Sequence, residues 1–135
     1  MDTQRYTRGL SKLREVDGRA GEEVMAALEP VCPDLARYVV EFGFGDIYSR
    51  PGLSLREREI ATVAALSAMG YALPQLKVHV RAALNVGITP AEIMEVIIQM
   101  AAYVGFPATI NAALAAGEVL TDAGLLPPGA EEKPA

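Results

Sequence analysis

The chain contains one histidine, His79, in the stretch QLKVHVRAALNVG at residues 75–87. At helical spacing His79 lies on the apolar face of this stretch, and Lys77 and Arg81 lie on the opposite face. The imidazole is therefore predicted to face inward. An inward histidine can be a core residue bonded to a backbone carbonyl, which the stretch alone favours, or a general acid or base.

A second inward-facing group is Glu59, in the stretch SLREREIATVAALSAMG at residues 54–70. Its helical neighbours are apolar, and the chain carries no charge from residue 60 to residue 76. A buried carboxylate is unfavourable without a partner, and His79 is the natural candidate on the next helix. A carboxylate that orients an imidazole and raises its pKa is typical of general acid–base sites. The alternative is an exposed Glu59, like the charged residues beside it.

Several groups that could bind an anion precede or follow a turn in FGDIYSRPGLSLRERE at residues 44–59, namely Tyr48, Arg50, Arg56 and Arg58. Arginine guanidinium groups suit carboxylates, because they donate two parallel hydrogen bonds. The segment could equally be a solvated loop whose arginines pair with neighbouring acids.

Helical periodicity with capping signals recurs along the chain and predicts an all-α, single-domain helical bundle. Ser54 with Glu57, and Thr89 with Glu92, form capping boxes that predict two helix starts. A helix starting at Pro33 is expected to turn inward the side chains of Leu35, Val39, Val40 and Phe42. The predicted organisation is an N-terminal extension (1–19), a helical domain (20–125) and a disordered tail (126–135).

Composition limits the functional class. The 135 residues are 51% apolar and carry a net charge of −5, with a pI near 4.9 and a mean hydropathy of +0.22. Scattered basic residues in an acidic chain argue against nucleic-acid binding. So much apolar sequence in a small domain favours a homo-oligomer. The start is too polar for a signal peptide, and no uncharged run would span a bilayer, so no membrane contact and a cytoplasmic location are expected.

The chain has one cysteine, Cys32. A single cysteine provides no internal disulfide, no CxxC redox pair and no multi-cysteine metal site. We expect Cys32 to be a small buried hydrophobic residue, and we predict no metal and no cofactor.

Residues 20–120 resemble the carboxymuconolactone decarboxylase superfamily, which also includes alkyl hydroperoxidase D-like proteins. The resemblance is carried by YSRPGLSLREREIATVAALSAMG, PQLKVHVRAALNVGITPAEIMEVIIQMAAYVGFPA and the upstream RYVVEFGFGDIYSR. It implies an all-α trimer or hexamer with Glu59 and His79 as site residues. The hydroperoxidase branch has C-x-x-C-x-x-x-H, but Ala72 and Gln75 occupy the cysteine positions here. The decarboxylase branch is therefore favoured, because no thiolate is available at this motif.

The resemblance implies a cofactor-independent carboxy-lyase of the β-ketoadipate pathway for aromatic catabolism. Its substrate would be 4-carboxymuconolactone, giving 3-oxoadipate enol-lactone, or a related small lactone or carboxylate. In this hypothesis His79 is the general acid and Glu59 orients it, while Arg50, Arg58 or Lys77 binds the second carboxylate, in some cases from a neighbouring subunit. Three further candidates for the substrate site are Tyr48, Tyr71 and Gln75.

Two other interpretations stay open. The chain could be a superfamily member with another small substrate, including a hydroperoxidase-like protein that lacks the thiol pair. It could also be a non-catalytic helical oligomer that binds a small ligand, with His79 as a core residue.

Overall fold

The computed structural model describes residues 3–125, and in this range all regular secondary structure is helical. The predicted all-α class is confirmed for that range, whereas the predicted disordered tail lies outside it. None of the described helices is both long and apolar enough to cross a membrane. The elements are α1 (Thr3–Leu28), α2 (Pro33–Tyr38), a π-helical segment (Val39–Ile47), α3 (Leu55–Met69), α4 (Leu73–Asn85), α5 (Pro90–Val104) and α6 (Phe106–Asp122).

The two predicted capping boxes are both present. The backbone N–H of Glu57 donates to Ser54 Oγ at 3.1 Å, and the Ser54 N–H donates to Glu57 Oε1 at 2.9 Å. Thr89 and Glu92 make the same reciprocal pair at the start of α5. These contacts satisfy N–H groups that have no partner within the helix, and so fix where α3 and α5 begin.

Two apolar clusters form the core. The larger one packs α3, α4, α5 and α6 around buried side chains such as Val63, Leu76, Ile93 and Leu120. The smaller one packs α1 and the π-helical segment against α4, around Leu13, Val16, Val40, Phe44 and Ala82. Helix α4 contributes to both clusters, so residues on α4 lie close to the boundary between them.

Helix α1 begins at Thr3, within residues predicted to be an extension, and packs closely on the π-helical segment. Gly9 permits this approach, because a Cβ there would lie 2.0 Å from the Val40 carbonyl oxygen. The Arg5 guanidinium donates to the Asp46 carboxylate, with Nη2 2.6 Å from Oδ2. Residues 3–19 are thus part of the packed structure and can contribute to a site.

The π-helical winding changes which side chains face inward after Pro33. Leu35 and Phe42, predicted to be inward, are about half exposed, whereas Val40 and Phe44 are buried. The Tyr48 N–H donates to the carbonyl of Gly43, five residues earlier. This wider turn moves the inward positions away from the spacing of an α-helix. The prediction that Cys32 is buried is also wrong, since it lies exposed just before α2.

Candidate active site

The centre of the site is a contact between α4 and α3. His79 Nδ1 lies 3.0 Å from Glu59 Oε2 and 3.2 Å from Oε1. Glu59 is completely buried, and 18% of the His79 side chain is exposed. The predicted pairing of these residues is therefore present. Because Nδ1–H donates its hydrogen bond to the Glu59 carboxylate, Nε2 is the ring nitrogen left to act on a ligand.

Tyr48 supports the buried carboxylate from the opposite side. Its hydroxyl donates to Glu59 Oε1 at 2.8 Å and lies 2.6 Å from Thr62 Oγ1. Thr62 Oγ1 also lies 2.9 Å from the Arg58 carbonyl oxygen one turn earlier in α3, so its single proton is available to either that carbonyl or the Tyr48 oxygen. Tyr48 was predicted as an anion-binding residue, and the structure places its hydroxyl on Glu59. This chain of hydrogen bonds holds the carboxylate in position for His79.

A third titratable residue at the site, Asp17, was missed by the sequence reasoning. It comes from α1, is buried, and its Oδ1 lies 3.8 Å from His79 Nδ1. Asp17 Oδ1 also has no hydrogen-bond partner among the described residues. The signal available in the sequence was VDGRAG at residues 16–21, where an acidic residue in a helix is followed by glycines one and four positions later.

The electrostatics of the three groups are coupled. Burial by itself would lower the pKa of His79, but the hydrogen bond and charge of Glu59, with the charge of Asp17, outweigh it and raise that pKa above its usual value. Burial raises the pKa of Asp17 to about 6, against the attraction of His79. Burial and the neighbouring Glu59 charge raise the pKa of Tyr48, so its hydroxyl stays protonated and acts as a donor. The charges of the neighbouring carboxylates therefore favour the protonated form of the imidazole.

His79 and Asp17 open onto a cavity of about 350 Å³ between α1, the π-helical segment and α4. This volume is at the lower end of the roughly 300–1,000 Å³ typical of small-molecule sites. Most of the lining is apolar, so a bound ligand would contact mainly hydrophobic side chains. The lining residues are Leu13, Asp17, Gly21, Val24, Met25, Leu28, Val39, Phe44, Pro74, Gln75, Val78 and His79.

Of the predicted substrate-binding residues, only Gln75 lines this cavity. The Lys77 ammonium pairs with the Glu118 carboxylate on α6. The Arg58 guanidinium donates to the Arg50 carbonyl at 3.0 Å, and Tyr71 is 78% exposed. Within residues 3–125 of one chain, the lining of this cavity includes no lysine or arginine.

The same three side chains are the ones that could hold a cation. One oxygen each from Asp17 and Glu59, together with His79 Nδ1, lie within 4.8 Å of one another. A metal ion there would have to replace the proton on Nδ1, because both would occupy the space between the imidazole and Glu59. The arrangement can therefore hold either the proton on Nδ1 or a cation.

Comparison with known proteins identifies the family of the chain. The sequence model of the carboxymuconolactone decarboxylase family matches residues 33–118. The chain belongs to this family. The matched range includes Glu59 and His79 but begins after Asp17, which lies outside it.

Two characterised relatives of this family member are decarboxylases. The chain is 36% identical to 4-carboxymuconolactone decarboxylase of Acinetobacter baylyi over 129 residues, which is 93% of this chain and 94% of the relative. It is 31% identical over 84 residues to nitrosuccinic acid decarboxylase of Metarhizium robertsii, covering 62% and 58% of the two chains. An uncharacterised 15.0 kDa protein of Paracoccus denitrificans is 39% identical over 85 residues, covering 62% of this chain and 63% of the relative. The predicted enzyme class, a carboxy-lyase, is confirmed.

Proposed function

We propose that the protein is a cofactor-independent decarboxylase of 4-carboxymuconolactone or of a closely related small lactone or carboxylate. The observation that carries this proposal is the His79–Glu59 pair at the edge of a mainly apolar cavity. The nearly full-length similarity to a 4-carboxymuconolactone decarboxylase supports the choice of substrate. On this proposal the enzyme acts in the cytoplasm, in the β-ketoadipate pathway of aromatic catabolism.

The chemistry requires no external electron acceptor. When the bond between the γ-carbon and the carboxylate breaks, CO₂ leaves and the electron pair moves through the conjugated lactone into its carbonyl group. The resulting dienolate then takes a proton on carbon from His79 Nε2, and the neutral imidazole recovers a proton from solvent. Glu59 keeps Nδ1 protonated and the ring oriented throughout. The apolar lining disfavours the charged carboxylate more than the transition state, in which that charge is spread over the ring.

The carboxylate that the substrate retains needs a cation outside the cavity lining of a single chain. We place this cation at a subunit contact and keep Arg50, Arg58 and Lys77 as candidates, in a trimer or hexamer. Support comes from exposed apolar side chains on α5 and α6, such as Ile98, Phe106 and Leu114, which association would bury. Light scattering would give the mass of the particle. Substitution of each cation by alanine should raise KM more than it lowers kcat if the residue binds the carboxylate.

A nitro-substituted dicarboxylate is a second candidate substrate, favoured by the similarity to nitrosuccinic acid decarboxylase. Loss of the carboxylate next to the nitro group leaves an electron pair that the nitro group accepts, and the carbon then needs a proton. Both substrates are thus small dicarboxylates that carry their own electron acceptor. One acid in an apolar cavity serves both reactions.

The deciding experiment measures the decrease in absorbance of 4-carboxymuconolactone with the purified protein, and in parallel the release of CO₂ from nitrosuccinate. We expect turnover of the lactone and a loss of roughly 10²–10⁴-fold in kcat for His79→Gln, the usual effect of removing a general acid. Near-normal turnover by a folded His79→Gln oligomer would exclude the acid role. Hydroperoxide reduction without either decarboxylation would instead favour the hydroperoxidase-like interpretation, and ligand binding without turnover the non-catalytic one.

A further inference from the structure

We propose that Asp17 is a positioning residue of this site, and that its carboxylate, together with that of Glu59, keeps the acid proton on His79 until the substrate carbon takes it. This inference rests on the proposed acid role of His79. It adds a residue from α1, outside residues 33–118 that the family model matches.

The first observation is the shape of α1 around Asp17. The helix kinks at Gly18, which has φ of 58° and ψ of −140°, a backbone conformation that a side chain would make unfavourable. Gly21 is four residues after Asp17, and a Cβ at Gly21 would lie 2.5 Å from the Asp17 Cβ and 3.0 Å from its Oδ2. Cβ atoms at this spacing are roughly 5–6 Å apart in a regular helix. The two glycines therefore make room for the carboxylate.

The second observation is that α4 holds this kink in place. Asn85 Nδ2 donates to the carbonyl of Val16 at 3.3 Å, across 69 residues of sequence. A kink interrupts the hydrogen-bond ladder of a helix, so carbonyl groups beside it need another donor. Asn85 and His79 belong to the same helix. Helix α4 thus fixes both the imidazole and the backbone that presents Asp17 to it.

The third observation is that the buried Asp17 carboxylate has an oxygen without a hydrogen bond within residues 3–125. Its Oδ1 accepts no hydrogen bond among the described residues, although such bonds normally accompany buried carboxylates. His79 Nδ1 at 3.8 Å is too far for a hydrogen bond but close enough for a strong charge interaction. Because Oδ1 lacks the hydrogen bond that usually stabilises a buried carboxylate, the position of Asp17 is best explained by its effect on the imidazole.

The other charged groups near His79 and Asp17 are in ion pairs or line a separate cleft. From α3 the imidazole meets Glu59, and Tyr48 reaches Glu59 without contacting His79 in the described hydrogen bonds. Lys77 on α4 is paired with Glu118 of α6. Arg19, Arg81 and Asp122 line, together with Asp17, a separate open cleft that His79 does not line. Asp17 is therefore the second carboxylate that acts on His79, and solvent in that cleft weakens the effect of the more distant charges.

The test is the titration of His79 in Asp17→Asn, which keeps the shape of the side chain and removes its charge. His79 is the single histidine of the chain, so its imidazole resonances are unambiguous by NMR and need no substrate. We expect His79 to lose its proton at lower pH in Asp17→Asn than in the wild-type enzyme. With substrate, kcat/KM in the alkaline range should fall tenfold or more, since a charge this close typically changes proton affinity by that factor. Below about pH 6, where Asp17 of the wild-type enzyme itself takes a proton, the two proteins should have similar kcat/KM.

Glu41→Gln is the matched control, because Glu41 is also a buried carboxylate with one oxygen that accepts no hydrogen bond from the described residues, but in a separate cluster with Arg5 and Arg37. It should leave the His79 titration unchanged. Gly21→Ala, in which the new methyl group would displace the Asp17 carboxylate, should shift the titration in the same direction as Asp17→Asn. It provides the answer if Asp17→Asn does not fold.

An unchanged His79 titration in a folded Asp17→Asn or Gly21→Ala variant would overturn the proposal. A shifted titration in a protein without activity on either substrate would keep the role of Asp17 in proton affinity and refute the proposed function instead. The two failures are therefore distinguishable.

Discussion

Substitution of Glu59 by glutamine tests the central pair most directly. Glu59 is completely buried, and its two oxygens lie 3.0 and 3.2 Å from His79 Nδ1. In Glu59→Gln the side-chain amide nitrogen can donate to Nδ1, which then carries no proton, while the amide oxygen can still accept from Tyr48. The ring is left neutral with its proton on Nε2, and neutral imidazole is a far weaker acid than imidazolium.

The expected loss follows from this change of protonation state. In the wild-type enzyme the hydrogen bond and charge of Glu59 outweigh the effect of burial on the His79 pKa. Without that charge burial dominates, and the imidazolium population at neutral pH becomes small. We expect kcat to fall roughly 10²–10⁴-fold, the range for loss of general acid catalysis. The alkaline decrease of kcat/KM, which reports deprotonation of His79, should move to lower pH.

The assay is lactone turnover between pH 5 and pH 9, with circular dichroism and thermal unfolding to show that the variant is folded. Glu57→Gln is the control, because Glu57 lies on the same helix but caps its exposed start. It should lose some stability and keep the pH profile. If Glu59→Gln kept kcat within threefold and the same alkaline limb, the reasoning about the pair would be refuted.

Four further outcomes are expected. Asp17→Asn should stabilise the fold at pH 7 by up to about 3 kcal/mol but not at pH 4, as measured by urea unfolding at both pH values. The reason is that folding raises the pKa of Asp17 from 3.8 to about 6, which makes folding of the wild-type enzyme less favourable as pH rises through that window. Equal gains at both pH values would contradict the assignment. Cys32→Ser should keep decarboxylation within twofold, since the Cys32 side chain is exposed and does not line the cavity; a large loss in the absorbance assay would be inconsistent with the proposed chemistry. Thr89→Ala should lower the unfolding free energy by about 1 kcal/mol through loss of the cap on α5, with no change in kcat. Dialysis against EDTA should leave turnover unchanged, because the mechanism needs a proton on Nδ1; a loss of activity that zinc restores would indicate a metal at Asp17, Glu59 and His79.

The pair at the centre of the site was predictable because its signal is local. Glu59 and His79 each interrupt an apolar helical face, and helices that follow one another in sequence tend to pack together. The capping boxes were predictable for the same reason, since each depends on residues three positions apart. Both features need only helical geometry and the unfavourable energy of a buried charge.

Other parts of the site depend on backbone geometry that periodicity does not encode. The π-helical winding of Val39–Ile47 moved Phe42 outward and Phe44 inward. Asp17 is far from His79 in the sequence, and its approach to His79 requires the kink at Gly18. The basic residues were predicted from their residue type, their position near a turn and the family resemblance, and in one chain they pair elsewhere or lie in solvent.

The cavity is built from two parts of the chain, helix α1 and the segment that the family model matches. Helix α1 provides half of the lining residues, whereas the acid and its carboxylate partner lie within the segment shared across the family. Relatives could therefore exchange substrates by changing the first thirty residues while inheriting the same proton donor. A chimera that joins this α1 to the remaining sequence of a relative would reveal whether substrate preference is a separable, N-terminal trait.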